Sequence, residues 1–171
     1  MSFRLHNQAS SFFRNLLPGG AGIRFDTQFD IYYHCLMCGL DRRQLGDDSD
    51  VGEEFVRDYV QAFQPHAELI AGLLVDAELV RIDIKLDDVK GVEKKMIELL
   101  EPTSATRLSS TGLGLLNRYA AGGFNVVSDA FATPPQSLED FFVTYHRLWA
   151  GQRASSLPVS VLVEPLQSNV T

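Results

Sequence analysis

The chain has 171 residues, 45% hydrophobic and 22% charged, enough for one folded domain with a real core and far from the composition of a disordered polymer. Its formal net charge of −7 excludes general electrostatic attraction to phosphate unless basic side chains gather on one face. No run reaches the roughly 18 to 20 apolar residues of a membrane span, Arg4, His6 and Arg14 are spread through the first residues rather than clustered as in a leader, and two cysteines cannot staple a secreted scaffold; a cytoplasmic protein with no membrane partner is expected.

Leu5, Ala9, Phe12, Phe13, Leu16 and Leu17 recur at three- to four-residue spacing and predict a first helix, which "PGGAG" at 18–22 ends. Asp26 is placed to cap a second, in which Phe29, Tyr32, Tyr33, Leu36, Met37 and Leu40 share a broad side and Gly39 lies near the end. Asp50 would cap a third, with Phe55, Tyr59, Ala62 and Phe63 inward and Pro65 at its limit. The run "LIAGLLVDAELV" at 69–80 is apolar on most sides, so the fourth helix, about 65–82, is expected to be the central one, with Glu68, Asp76 and Glu78 at its margins.

Asp87 or Asp88 should open a helix through Val89, Val92, Met96, Ile97 and Leu100 that stops before Pro102. Another starts at Ser109 or Ser110, passes Leu113, Leu116 and Tyr119, and is expected to end at Gly122 and Gly123, with a short helix over 124–131 after it. "SLED" at 137–140 has the serine-to-acid spacing of a capped helix start, followed by Phe141, Phe142, Tyr145, Leu148 and Trp149. Residues 157–167, "LPVSVLVEPLQ", are bounded by prolines and predict an extended arm. The expected fold is therefore all-α, a compact bundle of about seven or eight helices over 1–150, with 151–171 as an extended tail or docking arm.

Three groups invite a chemical reading. His34 with Cys35-x-x-Cys38 could begin a zinc site, but no second Cys pair and no spaced His pair supplies the remaining ligands. A redox pair belongs at a helix N-terminus, whereas this one lies toward a C-terminus, so the thiols are read as apolar core packing. The carboxylates Asp47, Asp48, Asp50, Glu53, Glu54 and Asp58 lack the alternation and central glycine of a calcium loop and are read as a solvated acidic segment. "GLGLLNRYAAGG" at 112–123 is no phosphate loop; its glycines suit close helix packing and a C-cap. No catalytic set is legible, and neither metal nor cofactor is expected. Arg42 and Arg43 suit a helix C-terminus, where they complement the dipole and could still reach a phosphate.

"FRLHNQASSFFRNL" with "DIYYHCLMCGL", and "LLNRYAAGGFNVVSDAF" with "SLEDFFVTYHRL", resemble the DndE family, accessory proteins of bacterial DNA phosphorothioation (sulfur modification); the most particular piece is Asn117-Arg118-Tyr119. The resemblance implies a helical, oligomeric, non-catalytic protein that works beside sulfur-inserting enzymes or a related phage-defence complex and has affinity for nicked duplex DNA. This chain differs in an acidic insert around 41–58 and in its added tail. The nucleic-acid candidates are Arg42, Arg43 and Arg118; read from the residues alone, Arg118 pairs equally well with a carboxylate across a helix interface, and Asn117 with a backbone group. The alternative is a protein-protein adaptor with no nucleic-acid contact, using 47–58 and 157–167 as docking surfaces. A homo-oligomer is compatible with the many tyrosines and phenylalanines.

Overall fold

The computed structural model describes residues 2–19 and 22–156, the last six as backbone only. Among the described residues it holds six α-helices and a two-stranded antiparallel sheet, so the all-α expectation is corrected to a mixed fold. The first correction is at the N-terminus, where the predicted helix is a strand, β1 (Phe3–His6), followed by one helical turn, α1 (Ala9–Phe12). The apolar positions were read correctly, since Leu5, Ala9, Phe13 and Leu16 are all buried; the period was not. Phe3 and Leu5 point inward and Arg4 outward, the alternation of a strand.

The next helix, α2 (Gln28–Arg42), starts at Thr27 rather than Asp26: the Asp30 carboxylate accepts from the Thr27 backbone amide and hydroxyl, each at 2.8 Å. It ends on Arg43, which takes a left-handed conformation at φ 52°. The predicted third helix is instead β2 (Val51–Val56), entered through a 3-10 turn at Asp48–Asp50 and paired with β1 in the register Phe3 to Val56, Arg4 to Glu54 and His6 to Val51. Gly52 has to be small, since a Cβ there would stand 2.9 Å from the Leu5 carbonyl oxygen. The pairing partner lies some fifty residues upstream, so no local period announces this strand.

α3 (Ala67–Arg81) and α4 (Val89–Leu99) form a hairpin. Asp88 caps α4 by accepting from the Gly91 amide at 3.0 Å. Leu69 and Val80 on α3 are more than half exposed and Glu78 is 1% exposed, so α3 is not the central helix and Glu78 is not marginal, both against expectation.

The central helix is α5 (Ser110–Asp129), which runs unbroken through Gly122 and Gly123 and absorbs most of the separate helix expected over 124–131. Those glycines mark a crossing. A Cβ on Gly123 would collide with the Cys35 carbonyl, one on Gly39 with the Tyr119 carbonyl, and one on Gly122 with the Gln44 carbonyl, so α2 and the segment after it lie backbone against backbone on α5. Last comes α6 (Leu138–Ser156), started by the Ser137 hydroxyl accepting from the Asp140 amide at 3.1 Å. It runs six residues past the boundary expected at 150; the arm expected over 157–167 lies outside the described residues.

Candidate functional site

Asn117, Arg118 and Tyr119 stand on successive positions of α5, about 100° apart around the helix, so their side chains leave in three directions. Each fastens a different part of the chain. The Asn117 carbonyl oxygen accepts from the Arg4 amide at 3.1 Å and the Tyr32 hydroxyl at 3.0 Å, while its amide nitrogen donates to the Ser2 carbonyl at 3.0 Å. Arg118 Nε donates to the Gly46 carbonyl at 2.9 Å and lies 3.3 Å from Asp48 Oδ1; the Arg118 carbonyl accepts from the Gly46 amide. Both readings proposed for this pair from sequence, a backbone group for Asn117 and a carboxylate for Arg118, are what the structure places there.

The Tyr119 hydroxyl donates to Glu78 Oε1 at 2.7 Å, and Arg81 clamps the same carboxylate through Nε at 2.7 Å and Nη2 at 2.8 Å. Burial alone would raise the pKa of Glu78. The hydrogen bonds from Arg81 and Tyr119 outweigh it and hold the carboxyl below its ordinary range. Burial and the adjacent carboxylate push the Tyr119 phenol up, so it donates and does not ionise.

Beside this hub, β1, the 3-10 turn and the first half of α5 enclose an open concavity of about 310 Å³, to which Arg4, Arg118, Ser2 and Ser110 contribute polar side chains, Asp48 an acidic one, and Val51 and Leu113 apolar ones. Arg4 was not singled out from sequence. Its signal was the in-out alternation of "FRLH", masked by the helical spacing of the residues that follow.

The other two candidate arginines are elsewhere. Arg42 Nη2 donates to the Leu148 carbonyl at 3.2 Å and so holds α6 against the end of α2. Arg43 pairs with Asp76 at 2.7 Å and donates to the Asp41 carbonyl at 2.6 Å. Neither lines the concavity of Arg118.

His34, Cys35 and Cys38 lie inside the helical layer. Cys35 is 2% exposed and Cys38 1%, and burial pushes both thiols above their ordinary pKa, which keeps them protonated and unreactive. His34 is ringed by Phe25, Phe141, Phe142 and Tyr145, with centroids 4.9 to 5.5 Å from its own. Among the described residues, no three His, Cys, Asp or Glu side chains are grouped to hold a metal ion.

A second surface feature sits on the α3–α4 hairpin. Of the ten large apolar residues left exposed among the described residues, seven fall between Leu69 and Ile97, with Leu86 80%, Ile97 72% and Val89 69% exposed. Isolated apolar residues on a surface are ordinary; a concentration on one hairpin is the pattern of an interaction face. No helix among the described residues is long and apolar enough to cross a membrane.

Comparison with protein-family models, with curated proteins and with solved structures finds no match.

Proposed function

We propose that this protein is a non-catalytic accessory subunit of a bacterial DNA-modification (phosphorothioation-like) or phage-defence system, acting in the cytoplasm by binding partner proteins, with nicked duplex DNA as a second ligand. The observation that carries the binding role is the exposed apolar hairpin of α3 and α4, whose uncovered side chains gain from burial against another surface. The setting comes from the likeness of its Asn117-Arg118-Tyr119 stretch and flanking helices to the DndE family.

A specific observation favours the second reading, an adaptor with no nucleic-acid contact. Arg42, Arg43 and Arg118 are all engaged within the chain, and the net charge is −7. Contact with DNA would require these guanidiniums to exchange or share their partners.

Two measurements test the proposal. Co-expressed with the products of the genes that flank its own, the wild-type chain should co-purify with at least one of them, and Val89→Glu with Ile97→Glu should abolish this without lowering the melting temperature. Both side chains are exposed, and neither belongs to the core or to the partly buried residues packed against it. Co-purification untouched by the double variant removes the hairpin from the proposal, and no co-purification at all removes the accessory role. Retention on nicked and intact duplexes across a salt series decides the nucleic-acid half: binding that falls steeply with salt supports it, and none at low ionic strength leaves the adaptor.

A further inference from the structure

We propose that the concavity between β1 and α5 is a binding site for a phosphate monoester. Three sources of positive potential converge on it. Arg4 is exposed, and its guanidinium has no partner among the described residues. Arg118 makes its side-chain hydrogen bond through Nε, to the Gly46 carbonyl, and its two terminal nitrogens form no hydrogen bond among the described residues. The third is the start of α5, a twenty-residue helix: the Gly112 amide is taken by the Ser109 hydroxyl and the Leu113 amide by the Ser109 carbonyl, which leaves the Ser110 and Thr111 amides outside the helical ladder. Ser110 adds a hydroxyl group to the lining, while that of Ser2 is held by the Glu54 carboxylate.

Of the residues that line the concavity only Asp48 is acidic, and it is displaceable; Glu54, opposite Arg4 in the strand register and bonded to the Ser2 side chain, stands at the margin. The Asp48 side chain is 87% exposed and its contact with Arg118 is 3.3 Å, an exposed pair of little worth that a ligand can replace. A planar carboxylate such as this one occupies a single guanidinium. A phosphate monoester carries up to two charges and three terminal oxygens, and so meets Arg4, Arg118 and a hydroxyl together. At about 310 Å³ the concavity is at the small end of ligand pockets, with Val51 and Leu113 as apolar wall for the organic part of an ester.

Calorimetric titration of the full chain with phenyl phosphate and with inorganic phosphate tests the site. Phenyl phosphate should bind saturably and more tightly than inorganic phosphate. Arg4→Gln, which removes one charge-assisted contact, should weaken it roughly tenfold. Asp48→Asn, which removes the internal competitor, should tighten it several-fold. Both substitutions are at exposed side chains, and melting without ligand serves as the folding control. Absence of saturable binding to both wild type and Asp48→Asn overturns the proposal, as does binding that neither substitution alters. Equal affinity for the two ligands overturns the ester assignment. The variants leave the α3–α4 hairpin untouched, so these outcomes are separable from those of partner binding.

Discussion

His34 carries a titratable ring into an aromatic enclosure, and that placement has a consequence for acid stability. Burial pulls its pKa from 6.5 down to about 4, against a smaller opposing pull from Asp30. The unfolded chain therefore binds a proton at a pH where the folded chain does not. Its contribution to stability is fully present above 6.5 and is lost as the pH falls from there toward 4, by at most about 3 kcal/mol. His6 acts in the same direction: burial against Phe124, its ring centroid 4.1 Å away, lowers its pKa in spite of Asp50. Glu78 opposes neither, because its carboxyl titrates below the ordinary carboxylate range. Urea titrations of wild type at about pH 7 and about pH 5 should thus show lower stability in acid, and His34→Leu should flatten most of that difference. An unchanged slope in the variant would show that the ring is hydrated in solution. The sequence placed this histidine beside large apolar residues; that three rings of α6 join the nearby Phe25 around it depends on α6 docking along α2.

At the scale of elements, the crossing of α2 over α5 is the feature on which the fold turns. Two glycines three to four turns into a helix weaken it by about 1 kcal/mol each relative to alanine; because glycine also takes the left-handed conformation of a C-cap, a reading from sequence ends the helix there. The structure uses them for approach: Gly123 and Gly39 admit the opposing carbonyls of Cys35 and Tyr119, which no side chain could. The same helix contains its own control. Gly114 has nothing within 4 Å of a Cβ, so Gly114→Ala should stabilise by up to about 1 kcal/mol. Gly123→Ala meets backbone that cannot swing aside and should cost about 3 kcal/mol, with the crossing forced apart. Chemical denaturation of the two variants distinguishes packing from helix propensity, since propensity alone predicts that both stabilise. Burial of Cys35 and Cys38 belongs to the same crossing, because a small apolar side chain suits a helix face held this close.

For the molecule as a whole, Asn117 joins what would otherwise be separate layers. Its 4%-exposed side chain satisfies the backbone at Ser2 and Arg4 and the Tyr32 hydroxyl, tying the N-terminal strand and α2 to α5 at one point. Asn117→Ala should destabilise by about 3 kcal/mol, since it strands several buried polar groups at once, and hydrogen exchange should speed up in β1 more than in α3. Uniform acceleration would show that the tie is not local to the strand. The outline of this molecule was legible in the sequence wherever a segment carries its own signal. The cap at Asp88 and the serine that starts α6 rest on interactions within a few residues, and the apolar faces of α2 and α5 and the inward set Leu5, Ala9, Phe13 and Leu16 show in the local spacing of apolar residues. Only the tertiary structure decided that 3–6 and 51–56 are strands, that α5 outlasts its glycines, that Glu78 is buried with Tyr119 and Arg81, and that Arg4 and Arg118 face one concavity apart from Arg42 and Arg43. Each of those depends on a partner tens of residues away, and hydrophobic period records that a residue is buried without recording what it is buried against.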